Sequence, residues 1–144
     1  MSSADAGPVV VDTMVVSALV NASRDPSPAD DYRALIDGRS IVVSFASVTE
    51  LRYGAIKAGW GDLRRRSLER DLGRFVVVQP DDRLMSICAE LRAACEASGH
   101  PLGQKVHDAD RWIASTALRL GIDLVSEDGV FRDVDHLRVL ARGD

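Results

Sequence analysis

No apolar run in this 144-residue chain approaches the ~20 residues that a bilayer-spanning helix needs, so no membrane segment is expected. The opening stretch MSSADAGP is small and polar and lacks the basic start and apolar core of a secretory signal, which makes the cytoplasm the expected compartment. Cysteine is scarce. Cys88 and Cys95 stand seven residues apart on a helical pattern, roughly 10 Å along its axis and beyond the reach of a disulfide. His100, His107 and His136 are not spaced to complete a zinc site with them. Neither G-x-x-x-x-G-K-[ST] nor G-x-G-x-x-G occurs, which removes the glycine-loop nucleotide binders. Internal repeats and low-complexity tracts are absent as well.

What is present suits one globular domain spanning 1–144, with residues 1–7 as a flexible N-terminus. The net charge of −4 conceals an asymmetry. Between Arg52 and Arg74 seven basic residues face three acids, a surplus of four, so the remainder carries about −8. A basic stretch on an acidic protein suits phosphates, although charge-rich helices also serve simply as solvated faces. Arg64, Arg65, Arg66 and Arg70 are the candidates for a phosphate contact, with Trp60 beside them for base stacking.

Short apolar runs alternate with longer helical patterns. PVVVD (8–12), SIVVS (40–44), FVVVQP (75–80) and IDLVSED (122–128) read as strands, and LRVL (137–140) as a fifth. Helical spacing predicts helices over 13–22, 47–59, 61–74, 81–100 and 107–121, with a turn and helix start at 25–30. Val48, Leu51, Ala55 and Ile56 share one stripe of the 47–59 helix, and Leu63, Leu68 and Leu72 punctuate the next. This alternation predicts an α/β fold in three layers, with a central parallel sheet of four to five strands and helices on both faces.

Ligand sites in such sheets form beyond the carboxyl ends of the strands. Asp12 follows VVV directly, and Asp128 lies just past DLV. Glu50 and Asp110 sit on helices beside such ends. Each has an ordinary alternative: Asp12 as a helix cap, Asp108 or Asp110 as the cap of the 107–121 helix, Glu50 as a partner of Lys57 or an arginine, and Asp128 as a turn residue before Gly129. Several carboxylates sharing a pocket repel one another and take up protons unless a cation is present. Mg²⁺, with its preference for oxygen ligands, suits such a site.

The ordered set VVVDT (9–13), TELRYG (49–54), DRWIASTAL (110–118) and LVSEDGVF (124–131) resembles the PIN-domain ribonucleases, and among them the VapC toxins of type II toxin–antitoxin pairs. The resemblance spans nearly the whole chain. It implies a PIN-like fold, Mg²⁺-dependent hydrolysis of RNA (Mn²⁺ substituting), a transfer or ribosomal RNA substrate, a homodimer, and inhibition by a cognate VapB-like antitoxin. Asp12, Glu50, Asp110 and Asp128 match the four acidic positions of the family. Asp12 and Asp110 are then the expected direct metal ligands, while Glu50 and Asp128 act directly or through water. Thr13 and Ser126 are the expected supporting hydroxyls. A bound ion would polarise the phosphoryl group and activate water for attack.

Two positions depart from that pattern. Met14 stands where such toxins often carry Asn or Ser, and Val130 where many carry another acid, with Glu127 and Asp133 nearby as substitutes. Asp108 is expected to cap its helix, His107 to be structural or a proton shuttle, and Trp112 to pack in the core. A dehalogenase-type phosphatase would want a second Asp where Met14 stands, and a receiver domain would want an acidic pair after the first strand; neither is present. The remaining alternative is a catalytically decayed PIN-fold binding module acting through RNA or protein contacts.

Overall fold

The computed structural model describes residues 7–143, so the expected flexible N-terminus lies, except for Gly7, outside the described residues. Five strands form one sheet: β1 (Val9–Val11), β2 (Ile41–Ser44), β3 (Val76–Val78), β4 (Leu124–Val125) and β5 (Val139–Leu140), in the order β3-β2-β1-β4-β5. Every neighbouring pair is parallel. The α/β expectation therefore holds, with β1 at the centre.

Parallel strands need crossovers, and helices supply all but the one from β4 to β5: α1 (Thr13–Val20), α2 (Ser27–Asp30), α3 (Arg33–Ile36), α4 (Phe45–Lys57), α5 (Asp62–Leu72), α6 (Asp82–Ser98) and α7 (Asp108–Leu120). Because strand side chains alternate, Val9 and Val11 face one way and Val10 the other. Val9, Val11 and Val43 pack with Val15, Val16, Val48, Leu68 and Leu72, the apolar faces of α1, α4 and α5. Val10, Val42 and Leu124 pack with Cys95, Ile113, Ala114, Ala117 and Phe131, where α6 and α7 cover the sheet. A central strand buried on both faces reads as an unbroken apolar run, which is why VVV carries no alternation.

Several details differ from the sequence expectation. α4 begins at Phe45 rather than 47, because Ser44 caps it by accepting the Ala46 amide at 3.2 Å. Ile56 leaves the expected stripe and is 61% exposed, and Leu63 is 80% exposed. α3 and three 3-10 turns, Pro101–Gly103, Lys105–His107 and Gly129–Phe131, arise where no regular element is expected. Cys88 and Cys95 are both buried free thiols. No helix among the described residues is long and apolar enough to cross a membrane.

Candidate active site

Strand register alone brings the first two site residues together. Val11 pairs with Val125, so the next residues, Asp12 and Ser126, emerge side by side where β1 and β4 end. The Asp12 amide donates to the Val125 carbonyl at 3.2 Å. Asp12 is only 5% exposed and has extended backbone, and its Oδ1 caps α1 by accepting the Val15 amide at 2.9 Å. Its Oδ2 accepts a short hydrogen bond from the Ser126 hydroxyl. Ser126 Oγ in turn accepts the Asp128 amide at 3.0 Å, and Asp128 Oδ1 accepts the Val130 amide at 2.9 Å, capping the 129–131 turn. Asp12, Ser126 and Asp128 thus form one hydrogen-bonded chain.

Two helices bring the other acids. Thr13, in the first turn of α1, shares a hydroxyl–hydroxyl contact of 2.8 Å with Ser47 of α4, the helix that carries Glu50. Asp110 stands in the first turn of α7, its Oδ2 2.9 Å from His107 Nδ1.

Burial pushes the Asp12 carboxyl above the ordinary carboxylate range; Ser126 and the Val15 amide pull it back, and the charges of Asp128 and Asp110 push it up again. Glu50 is raised too, first by desolvation, with Thr13 opposing and Asp110 and Asp12 adding to the rise. Asp12 therefore feels the charges of Asp128 and Asp110, and Glu50 those of Asp110 and Asp12. Among the described residues no lysine or arginine forms an ion pair with Asp12, Glu50, Asp110 or Asp128; the only such partner is His107. No three His, Cys, Asp or Glu side chains among the described residues stand close enough together to cage a metal ion as placed. The donor set, hard anionic oxygens with no competing cation, matches Mg²⁺ or Mn²⁺ chemistry.

Residues 9–137 match the PIN domain family. The chain is a PIN-domain protein. This PIN domain is similar in structure to DNA-bound VapBC from Salmonella typhimurium, at TM-score 0.76 and 21% identity over 93% of this chain and 97% of that one. It is similar to VapBC2 from Rickettsia felis bound to a promoter DNA fragment, at TM-score 0.74 and 21% identity, covering 92% and 97%. It is also similar to VapBC-5 from Mycobacterium tuberculosis, a member of the VapBC family of toxin–antitoxin systems, at TM-score 0.65 and 26% identity over 94% and 97%. No curated protein matches the chain in sequence.

The other candidates fall elsewhere on the PIN domain. Arg64 lies over the Trp60 ring at 3.7 Å from its centroid, and Trp60 packs against the core beneath α5, so that ring face is already covered. Arg65 and Arg66 line an open cleft of about 530 Å³ between α4 and α5, whose floor includes Ala55 and Leu68. Arg70 is exposed and donates to Ser67 at 3.2 Å. Trp112 is half-buried and meets the Phe45 ring edge-on at 5.1 Å.

Met14 is 73% exposed at the start of α1, so it is not a core residue. Asp108 does not cap α7. His107 occupies the cap position without a side-chain cap bond, while Asp108 pairs with Arg111 one turn on. Glu127 is held by Arg142, through its amide at 2.7 Å and Nε at 3.0 Å. Two partners escaped the sequence reading: Ser47 and Arg111. Arg111 is 3% exposed despite its charge; its spacing of three from Asp108 was the available signal.

Proposed function

We propose that this PIN-domain protein is the toxin of a type II toxin–antitoxin system, a Mg²⁺-dependent endoribonuclease that hydrolyses phosphodiester bonds in transfer or ribosomal RNA. The observation that carries the reading is the hydrogen-bonded chain of Asp12, Ser126 and Asp128 where β1 and β4 end, with Asp110 on α7 and Glu50 on α4 within reach of the Asp12 charge and no lysine or arginine among the described residues paired with any of the four acids. The VapBC assemblies similar in structure support a cognate VapB-like antitoxin as its inhibitor. The chain acts as a single domain over 1–144, as a homodimer, in the cytoplasm.

Asp12 and Asp110 would hold the ion directly, and Glu50 and Asp128 directly or through water. When bound, the ion supplies Lewis acidity and water activation at neutral pH. Ser126 fixes one oxygen of Asp12, and Thr13 steadies Glu50. These hydroxyls set the orientation of the acids, as supporting shells of metal sites do. Arg65, Arg66 and Arg70 project from α5 into solvent, where they would meet RNA phosphates; Arg64 and Trp60 contribute through their stacked pair.

Incubation of the protein with total cellular RNA and Mg²⁺ or Mn²⁺ tests the proposal. The native protein is expected to cleave, and chelation or Asp110→Asn to abolish cleavage. Intact RNA with folded protein at every metal concentration would overturn the enzyme reading in favour of a catalytically decayed binding module, which the exposed Met14 at the site's rim favours. Equal cleavage by Asp110→Asn would instead overturn the site.

A further inference from the structure

The segment between α6 and α7 contains glycine and proline and no regular element beyond two 3-10 turns, yet it is held from every side. Leu102 is fully buried. Gly103 lies so close to α6 that a Cβ there would sit 2.7 Å from the Glu96 amide nitrogen, so only glycine fits without a backbone shift. The Leu102 amide donates to His100 Nδ1 at 3.1 Å, and His100 Nε2 lies 2.7 Å from the Arg132 carbonyl oxygen. Buried Arg111 reaches back from α7 and donates to the carbonyls of Leu102 and Gln104 at 2.6 and 2.9 Å. His107 ends this braced segment, its amide bonded to the Gln104 carbonyl at 3.0 Å.

A braced loop gives its last side chain a fixed position, and that side chain meets Asp110. An ionised carboxylate only accepts hydrogen bonds, so at 2.9 Å the proton lies on His107 Nδ1. This contact occupies Oδ2 and leaves Asp110 Oδ1 without a protein partner among the described residues. Asp110 is also the acid whose charge reaches both Asp12 and Glu50. We infer that His107 is a positioning residue for Asp110: its Nδ1–H fixes one carboxylate oxygen, so that the other is presented to the acid cluster as a cation ligand. The inference rests on the acid cluster being a divalent-cation site. Arg111 and Gly103 serve it indirectly by fixing the loop.

Mn²⁺ binding, followed by the loss of the free-ion electron paramagnetic resonance signal, tests this without requiring turnover. The Nδ2 of asparagine overlays the histidine Nδ1 and can donate the same bond, whereas the glutamine amide reaches the Nε2 position. His107→Ala and His107→Gln are therefore expected to weaken Mn²⁺ binding about tenfold, the lower end for loss of a supporting partner. His107→Asn should remain within about threefold of the native protein, a rescue that a merely structural role would not give. Unchanged Mn²⁺ affinity in His107→Ala, alongside weakened binding in Asp110→Asn, would overturn the inference and leave the metal site standing. Tighter binding in His107→Ala would overturn it too, since the histidine would then compete with the ion. Should Asp110→Asn bind Mn²⁺ as the native protein does, the metal-site reading itself falls, and this inference with it.

Discussion

Asp12 makes two opposed contributions to stability, and a pair of substitutions separates them. Its oxygens cap α1 and accept the Ser126 hydroxyl, yet its charge is buried beside other acids. Asp12→Ala forfeits the cap, worth ~1 kcal/mol. It also leaves the buried Ser126 hydroxyl without its acceptor, a further ~1–3 kcal/mol. Below the ordinary carboxylate range the native Asp12 is protonated, so the alanine variant should lose about 2–4 kcal/mol there. Because the folded pKa is raised above the unfolded one, the native state holds this proton more tightly. The contribution of Asp12 to stability is then greatest below the unfolded pKa and falls as pH rises through the folded value. The alanine penalty should therefore shrink over the same window.

Asp12→Asn keeps a capping oxygen and removes the charge. Its amide nitrogen then faces Ser126 Oγ, which already accepts the Asp128 amide, so the hydroxyl proton must turn elsewhere at a cost of ~1 kcal/mol. Relief of buried charge opposes that cost, and without metal at pH 8 the net change should stay within about 1 kcal/mol. Mg²⁺ separates the variants further. At a hundred times its dissociation constant it should stabilise the native protein by ~2.7 kcal/mol, roughly 5–10 °C for a domain of this size, and leave the asparagine variant almost unmoved. Urea denaturation at pH 3 and pH 8, with and without Mg²⁺ at pH 8, measures all of this. An alanine penalty equal at both pH values, or equal Mg²⁺ stabilisation of the asparagine variant, would refute the reasoning.

Arg65→Glu/Arg66→Glu should weaken RNA binding and flatten the dependence of log affinity on log salt by about 0.7 for each phosphate no longer neutralised; fluorescence anisotropy across a salt series reads both, and an unchanged slope removes α5 from the RNA surface. Gly103→Ala should destabilise the fold by ~1–3 kcal/mol in urea, because its Cβ would meet the α6 backbone at Glu96; an unchanged midpoint would show that the turn gives way freely.

The architecture was legible because burial imposes periods. Val9–Val11 and Ile41–Ser44 read as strands because both faces of a central parallel sheet are covered; Asp12 and Asp128 stood out because charge at the end of such runs needs a reason, and Glu50 and Asp110 joined them through the ordered motif set. Lengths and loops were less legible. β4 is two residues long, although 122–128 reads as one strand, because the chain turns at Ser126 to bond Asp12. The 101–107 segment takes its shape from α6 and from Arg111, both distant in sequence or hidden in another pattern. Asp108 read as a cap from its place before an apolar run, but Arg111, one turn on, claimed it. The His107–Asp110 pair has the same spacing of three, but whether its side chains meet depends on where the preceding loop is anchored.

The fold itself reduces the cost of gathering these acids without cancelling it. Asp12 caps α1 and Asp110 lies in the first turn of α7, so each sits at the positive end of a helix. A helix terminus favours a carboxylate by ~0.3–1 kcal/mol, and the Ser126 and Val15 donors add to that at Asp12. Yet the Asp12 carboxyl still lies above its ordinary range, so desolvation and the other acids outweigh both donors together. Burial, more than the charges of Asp128 and Asp110, makes the ionised form of Asp12 costly at the junction of β1 and β4. Residues selected for stability alone would place an asparagine or serine there, since either caps a helix as well as aspartate does without the charge. Under the proposed function, the costly Asp12 carboxylate serves a cation as well as the helix it begins.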